Sequence, residues 1–251
     1  MEYGSLYLIP NYLGKNSNFN FDRHSLKIID NINHFVFENE KPGRAFIKII
    51  SPNKYQSELI INTLNKFTSK ESISSFLNPC FKGYNIGLVS DAGCPGIADP
   101  GAELIYNAHQ LNVKVIPLVG PSSILLALMA SGLNGQNFKF NGYLPIEKDD
   151  RKNKIKFLEK QSYNTTQIFM ETPYRNGKLI IDLLKFLKPT TKLCIATDLT
   201  LKSELVKTQT IKQWKNLRES YDKRPSIFLI QSNWILGFLI PSTKDMSKFL
   251  K

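Results

Sequence analysis

Five short apolar runs punctuate the first half of this 251-residue chain, at residues 5–9, 34–38, 45–50, 85–90 and 113–118. Runs this continuous suit strands buried on both faces. Between them lie stretches with helical spacing, at 22–31, 55–65 and 101–111. Alternation of this kind predicts an α/β layer around a mainly parallel sheet. Gly120-Pro121-Ser122-Ser123 then opens an apolar helix over 124–131, with Ser122 as its N-cap and Gly132 as its stop. The pattern changes after it. Strands are expected at 138–144, 167–171, 192–198, 204–211 and 226–231, and helices at 151–161, 176–187 and 211–219. With no repeat and no long linker, the expectation is two closely packed α/β domains, residues 1–119 and 120–251.

The loop between the fourth run and the helix at 101–111 reads Ser90-Asp91-Ala92-Gly93-Cys94-Pro95-Gly96-Ile97-Ala98-Asp99-Pro100-Gly101. Three glycines and two interior prolines fix an irregular path, and glycine lets a ligand approach the backbone. In open α/β sheets, ligands bind beyond the carboxyl ends of strands. Asp91 is expected at that edge, where a carboxylate can accept hydrogen bonds from a ligand hydroxyl or ammonium. Asp99 is expected to cap the next helix, with Pro100 in its first turn. Gly120-Pro121-Ser122-Ser123 repeats the pattern of a strand end meeting a helix start. In the second half, Glu171 and Arg175 are spaced to pair and to order the turn between them, a structural role as well founded as a chemical one.

Other chemistries are disfavoured. No G-x-G-x-x-G follows the first strand, no phosphate-binding P-loop exists, and no serine sits in a G-x-S-x-G elbow. Cys80, Cys94 and Cys194 are widely spaced and odd in number, which argues against a disulfide framework or a metal site and suits a reducing cytoplasm. The start of the chain lacks a basic, long-apolar leader. The apolar run 227–240 is too short to span a bilayer and is interrupted by Gln231, Ser232 and Asn233, so a buried strand followed by a packed tail is expected. Charge is uneven: residues 1–118 carry 11 Lys/Arg and 10 Asp/Glu, whereas residues 119–251 carry 22 and 11, a net of +11. A basic half favours a polyanionic partner, because each cation near a phosphate displaces counterions.

In this order, the elements resemble the tetrapyrrole methylase superfamily of class III methyltransferases. The likeness runs over most of residues 4–231. It rests on Leu6-Tyr7-Leu8-Ile9-Pro10, the Ser90-Asp91-Ala92-Gly93 run with Asp99-Pro100-Gly101, Gly120-Pro121-Ser122-Ser123, Phe140-Asn141-Gly142-Tyr143-Leu144-Pro145 and Glu171-Thr172-Pro173-Tyr174-Arg175. The branch most similar methylates ribose 2′-hydroxyls of small-subunit ribosomal RNA. The resemblance implies two α/β domains with S-adenosyl-L-methionine in the cleft between them, and a homodimer. Carried residue by residue, it implies cofactor contacts at Pro10, Asp91, Ala92, Gly93, Cys94, Pro95, Ser122, Ser123, Met170, Thr197 and Pro225. Departures occur at three places. Ile9-Pro10-Asn11 stands where Thr-Pro-Ile is usual, Glu38-Asn39-Glu40-Lys41 where Glu-Asp-Thr-Arg is usual, and Cys94 where threonine is usual.

Methyl transfer from a sulfonium mainly needs alignment and exclusion of water. A ribose hydroxyl is a poor nucleophile, so a base helps, and Glu38 and Asp91 are the candidates. Lys41 and Arg44 are placed to steer phosphate. Arg151, Lys152, Lys154 and Lys156, with Arg175, are the candidate grips on an RNA backbone. Two other readings stay open at this point: a methylase of a tetrapyrrole or other small anionic metabolite, and a cofactor- or RNA-binding module without catalysis. No metal is expected.

Overall fold

A computed structural model describes residues 3–214 and 220–232. The contacts within the chain divide it into two units. The first holds the residues up to Leu126 together with Asp198–Glu204, and the second holds Ala127–Thr197 and the chain from Leu205. The sequence pattern placed this division at 119/120. The division of contacts lies seven residues further on, within the helix α5 (Ser123–Ser131).

The first unit is built on a five-stranded sheet. Its strands are β1 (Leu6–Ile9), β2 (His34–Phe37), β3 (Ile60–Thr63), β4 (Ile86–Val89) and β5 (Val115–Pro117), in the order β3-β2-β4-β1-β5. Every pairing is parallel. Both faces are covered, which explains the continuous apolar runs. Leu6, Val36, Ile86 and Leu88 face α3 (Lys70–Ser75) and α4 (Ala102–Gln110), where they meet Ile73, Leu104 and Ala108. Ile9, Phe35, Phe37 and Val89 face the other way, onto Ile29 of α1 (Arg23–Asp30) and Phe46 and Ile47 of α2 (Glu40–Ile50). Asp22 caps α1, accepting the backbone N–H groups of His24 and Ser25 at 2.8 and 2.9 Å.

Two expectations in this unit are corrected. Residues 45–50 are not a strand but the end of α2, with Phe46, Ile47 and Ile50 buried and Ile49 exposed, a helical period. Pro42 does not break this helix because it lies in the first turn, where no N–H is needed. Residues 55–65 are not a helix. One 3-10 turn, Gln56–Glu58, leads into β3, whose β-branched residues pair with β2.

The second unit also has five strands: β6 (Phe138–Tyr143), β7 (Thr166–Met170), β8 (Lys192–Thr197), β9 (Leu205–Thr210) and β10 (Ser226–Gln231), in the order β6-β7-β10-β8-β9. Only β6 and β7 run parallel; the other pairings are antiparallel. Phe169, Leu193, Ile195, Phe228 and Ile230 share one face and pack with Ile155 and Leu158 of α6 (Lys148–Gln161) and Leu179 and Leu183 of α7 (Asn176–Phe186). Trp214 of α8 (Ile211–Trp214) is buried, and its indole N–H donates to the Leu193 carbonyl at 2.8 Å. The expected helix over 211–219 is seen to Trp214; residues 215–219 lie outside the described residues, as do 233–240 of the apolar run at 227–240. Among the described residues no helix is long and apolar enough to cross a membrane.

Candidate functional site

Register fixes where the site lies. Ile9, Phe37 and Val89 end β1, β2 and β4 side by side, so Pro10-Asn11, Glu38-Asn39 and Ser90-Asp91 all emerge from one carboxyl edge of the first sheet. The 90–101 loop is clamped there. Asn11 exchanges backbone hydrogen bonds with Gly93 at 2.9 and 3.1 Å, and its amide donates to the carbonyls of Ser90 and Asp91 at 3.0 and 3.1 Å. The buried Ser90 hydroxyl donates to the Gly93 carbonyl at 2.8 Å. Gly93 has φ +72° and Gly96 φ +79°, conformations that favour glycine. Asp99 is not a helix cap. α4 begins without a side-chain cap, and Asp99 Oδ1 instead accepts the N–H groups of Gly96 and Gly101 at 2.6 and 3.0 Å, stapling the loop to itself.

Three carboxylates gather around this loop. Asp91 is exposed, and the amide of Asn39 donates to its Oδ2 at 2.6 Å. Glu38 is half-buried at the end of β2, near the Asp91 backbone. Burial pushes the Glu38 carboxyl above the ordinary range, and the charges of Asp91 and Asp99 push it further. Asp99 is raised too, mainly by burial. A raised native pKa means that the folded chain binds more protons than the unfolded one between the two values. Stability therefore falls as pH rises through that window, and the loss persists above it. Glu38→Gln keeps the side chain's size and polarity and removes this titration. Melting temperatures from pH 4 to 8 are expected to fall less with rising pH in the variant than in the parent. Parallel profiles would contradict the assignment.

Close packing holds the neighbouring turn. A Cβ on Gly120 would collide with the ring of Pro10, so glycine is required by space rather than by backbone angle. The Cys94 thiol donates to the Pro121 carbonyl at 3.5 Å, and burial, followed by the Asp99 charge, raises its pKa and keeps it protonated. Ser122 accepts the Leu125 N–H at 3.5 Å as the cap of α5, and Gly132 ends that helix at φ +66°. Gly120→Ala is expected to cost about 1–3 kcal/mol through overpacking. Thermal unfolding measures this, and an unchanged melting temperature would show that Pro10 can yield.

Thus Pro10, Asp91, Ala92, Gly93, Cys94, Pro95, Ser122 and Ser123 share the first unit with Glu38, and the 90–101 loop and the 120–123 turn meet through Cys94 and Pro121. Asn11 and Asn39 were not among the residues expected to build the site. Their signal was position, an amide directly beyond a strand end. In the second unit, Met170 pairs with Ile227, and Thr197 with Ser226, which places Met170, Thr197 and Pro225 at one sheet edge. Met170 is half-buried and Pro225 exposed, whereas Thr197 is fully buried with its hydroxyl bonded to Ser226 Oγ at 2.8 Å.

The expected RNA grips divide. Arg151 is corrected: only 2% exposed, it ion-pairs with Asp182 at 2.6 Å and donates to the Ile146 carbonyl, because its position on α6 faces α7. Arg175 pairs with Glu171 at 2.5 Å, and Thr172 N–H joins the same carboxylate, so the turn is ordered as its spacing suggested. Arg44 pairs with Glu40 at 2.8 Å and donates to the Gln56 carbonyl. Lys41 and Lys156 are exposed, while the partly buried Lys152 and Lys154 lie over the rings of Phe186 and Phe157. Among the described residues no cluster could hold a metal ion.

No protein-family model matches the chain. The ribosomal RNA small subunit methyltransferase I of Buchnera aphidicola from Schizaphis graminum is 32% identical over 247 residues, covering 97% of this chain and 82% of that one. The chain belongs to the ribosomal RNA small subunit methyltransferase I family. The Bacillus subtilis member is 31% identical over 217 residues, covering 85% of this chain and 70% of its own length. Among solved structures, the methyltransferase CobJ superposes with a TM-score of 0.58 at 12% identity, covering 91% of this chain and 94% of that one. Uroporphyrin-III-C-methyltransferase from Thermus thermophilus gives 0.55 at 16%, covering 91% and 92%. The fold is therefore that of the tetrapyrrole methylases, and this small subunit methyltransferase I family member is an S-adenosylmethionine-dependent methyltransferase. Its first-unit edge suits that cofactor. An exposed carboxylate, Asp91, can take hydroxyl or ammonium donors, and exposed Ala92 adds no bulk beside it.

Proposed function

We propose that this chain methylates a ribose 2′-hydroxyl of small-subunit ribosomal RNA in the cytoplasm. The observation that carries the reading is family membership over nearly the whole chain, joined to a basic second half. Bound S-adenosylmethionine supplies an electrophilic methyl group. Asp91, held by Asn39, binds the donor, and the Gly93–Pro95 backbone with Pro10, Ser122 and Ser123 shapes its seat. Met170 and Pro225 are the second-unit contacts in this reading, and Thr197 supports them through Ser226. Glu38 assists the hydroxyl, because a carboxylate with a raised pKa is a better proton acceptor than an ordinary one. Lys41 steers phosphate. The active species is a homodimer, for which the exposed Leu125 and Met129, one turn apart on α5, offer apolar surface.

Ribose-methylation mapping of small-subunit RNA in a strain lacking this chain tests the reading. One site is expected to lose its methyl group and to regain it when purified protein and cofactor are added to the isolated subunits. An unchanged map, with transfer only to small tetrapyrroles, would overturn it.

A further inference from the structure

The second unit contains a hollow of about 510 Å³, of whose lining only Lys156 stands among the expected RNA grips. Lys156 and Lys160 of α6 line it, with Tyr163 just beyond that helix, Lys188 and Thr190 after α7, and Ser232 after β10. Among the described residues none of these three lysines has a carboxylate within ion-pairing distance. One carboxylate does line the hollow, that of Glu159, but it is committed to the wall. Its Oε1 accepts the Lys188 backbone N–H at 2.7 Å and the Thr191 hydroxyl at 2.5 Å. Ser232 N–H donates to Ser162 Oγ at 3.0 Å, and Ser162 in turn donates to the Glu159 carbonyl at 2.8 Å. The wall is thus built by its own hydrogen bonds, and the ammonium groups are left over.

Beside it, the Phe186 ring, itself part of the lining, lies under Lys152 and Lys185, with their nitrogens 5.8 and 5.7 Å from its centre. Cations are therefore concentrated here beyond the three that line the hollow. Tyr163 is 56% exposed. Lysine ammonium groups recognise phosphate oxygens, and an exposed aromatic ring stacks a base. We infer that this hollow binds the backbone of the RNA substrate, seating a phosphodiester among Lys156, Lys160 and Lys188, with an adjoining base on Tyr163. The inference rests on the ribosomal RNA reading above. It adds to that reading a grip remote in sequence from the 90–101 loop.

The test uses the full chain. Lys156→Gln, Lys160→Gln and Lys188→Gln are combined, and Tyr163→Ala is made separately. A control combines Lys66→Gln, Lys70→Gln and Lys82→Gln, which remove the same charge from the first unit. Binding to isolated small subunits and to protein-free RNA extracted from them is measured across a KCl series. Three lost phosphate contacts predict a dissociation constant at least tenfold weaker for both probes, and a log–log salt slope shallower by about 2–3. Tyr163→Ala is expected to weaken binding several-fold without changing the slope. The control should lose far less, and calorimetry should give the same cofactor affinity for every variant, which reports an intact fold. Equal losses in the triple variant and the control would reduce the effect to net charge and overturn the proposal. A loss for subunits alone, with protein-free RNA unaffected, would assign the hollow to a ribosomal protein and overturn it as well. If the unaltered protein methylates subunits but the triple variant binds normally, only the hollow is refuted. If the unaltered protein neither binds nor methylates them, the ribosomal RNA reading falls and takes the hollow with it.

Discussion

Asp91→Ala is expected to weaken S-adenosylmethionine binding by about 10- to 100-fold, because a hydrogen bond to a charged group contributes roughly 1.5–3 kcal/mol. The loop should survive the change. Its path is set by Asn11, Ser90 and Asp99, and the Asp91 side chain contributes to none of those bonds. Among the described residues, the only side-chain bond lost is the exposed one from Asn39. Calorimetry with the cofactor and a melting curve separate the two effects: affinity falls and the melting temperature holds. A variant with unchanged affinity would remove Asp91 from the cofactor site and leave the carboxylate cluster without a ligand role.

Arg151→Met is expected to give the largest loss of stability, about 3–5 kcal/mol. The arginine is almost wholly buried and meets Asp182, itself 6% exposed, through Nε at 2.7 Å and Nη2 at 2.6 Å. Removing the cation leaves a buried carboxylate with its charge uncompensated, which is the costly half of such a change. For a chain of this size that corresponds to a fall of roughly 6–20 °C in melting temperature. Arg151→Met combined with Asp182→Leu should recover much of the loss, since an apolar pair of similar volume is often tolerated. Below the variant's transition, RNA affinity should match the parent. A variant that melts normally but binds RNA weakly would restore Arg151 to the surface role its sequence context suggested.

That mistaken role shows where the sequence was readable. Lysines crowd Arg151 along α6, and a basic run looks solvated until the neighbouring helix is known. Only α7 and Asp182 reveal which way this position turns. The first sheet was legible because strands buried on both faces leave continuous apolar runs, as the inner strands β1, β2 and β4 do. The segments 45–50 and 55–65 exchanged identities for tertiary reasons. Pro42 and Gly43 resemble a break but open a helix, with Gly43 packed where a Cβ would clash with Phe37. β3 is a strand because β2 is beside it to pair with. The Asp91 loop was visible as a constrained stretch, whereas its clamps were not. Asn11 reaches it across 79 residues of chain to Ser90, and Asn39 across 52, distances at which no local pattern speaks.

β4 occupies the middle of the first sheet, between β2 and β1, although it is made after both. Leu6 and His34 flank the same partner, Ile86, so neither earlier strand has its inner neighbour until residue 86 has been synthesised. At about 5–20 residues per second, β1 waits roughly 4–16 s for its mate. During that time its apolar edges need shelter. The loop that follows β4 forms only when this central strand slots into place. On the proposed reading of this loop, cofactor binding acquired during refolding would report the insertion of β4 between its two earlier neighbours.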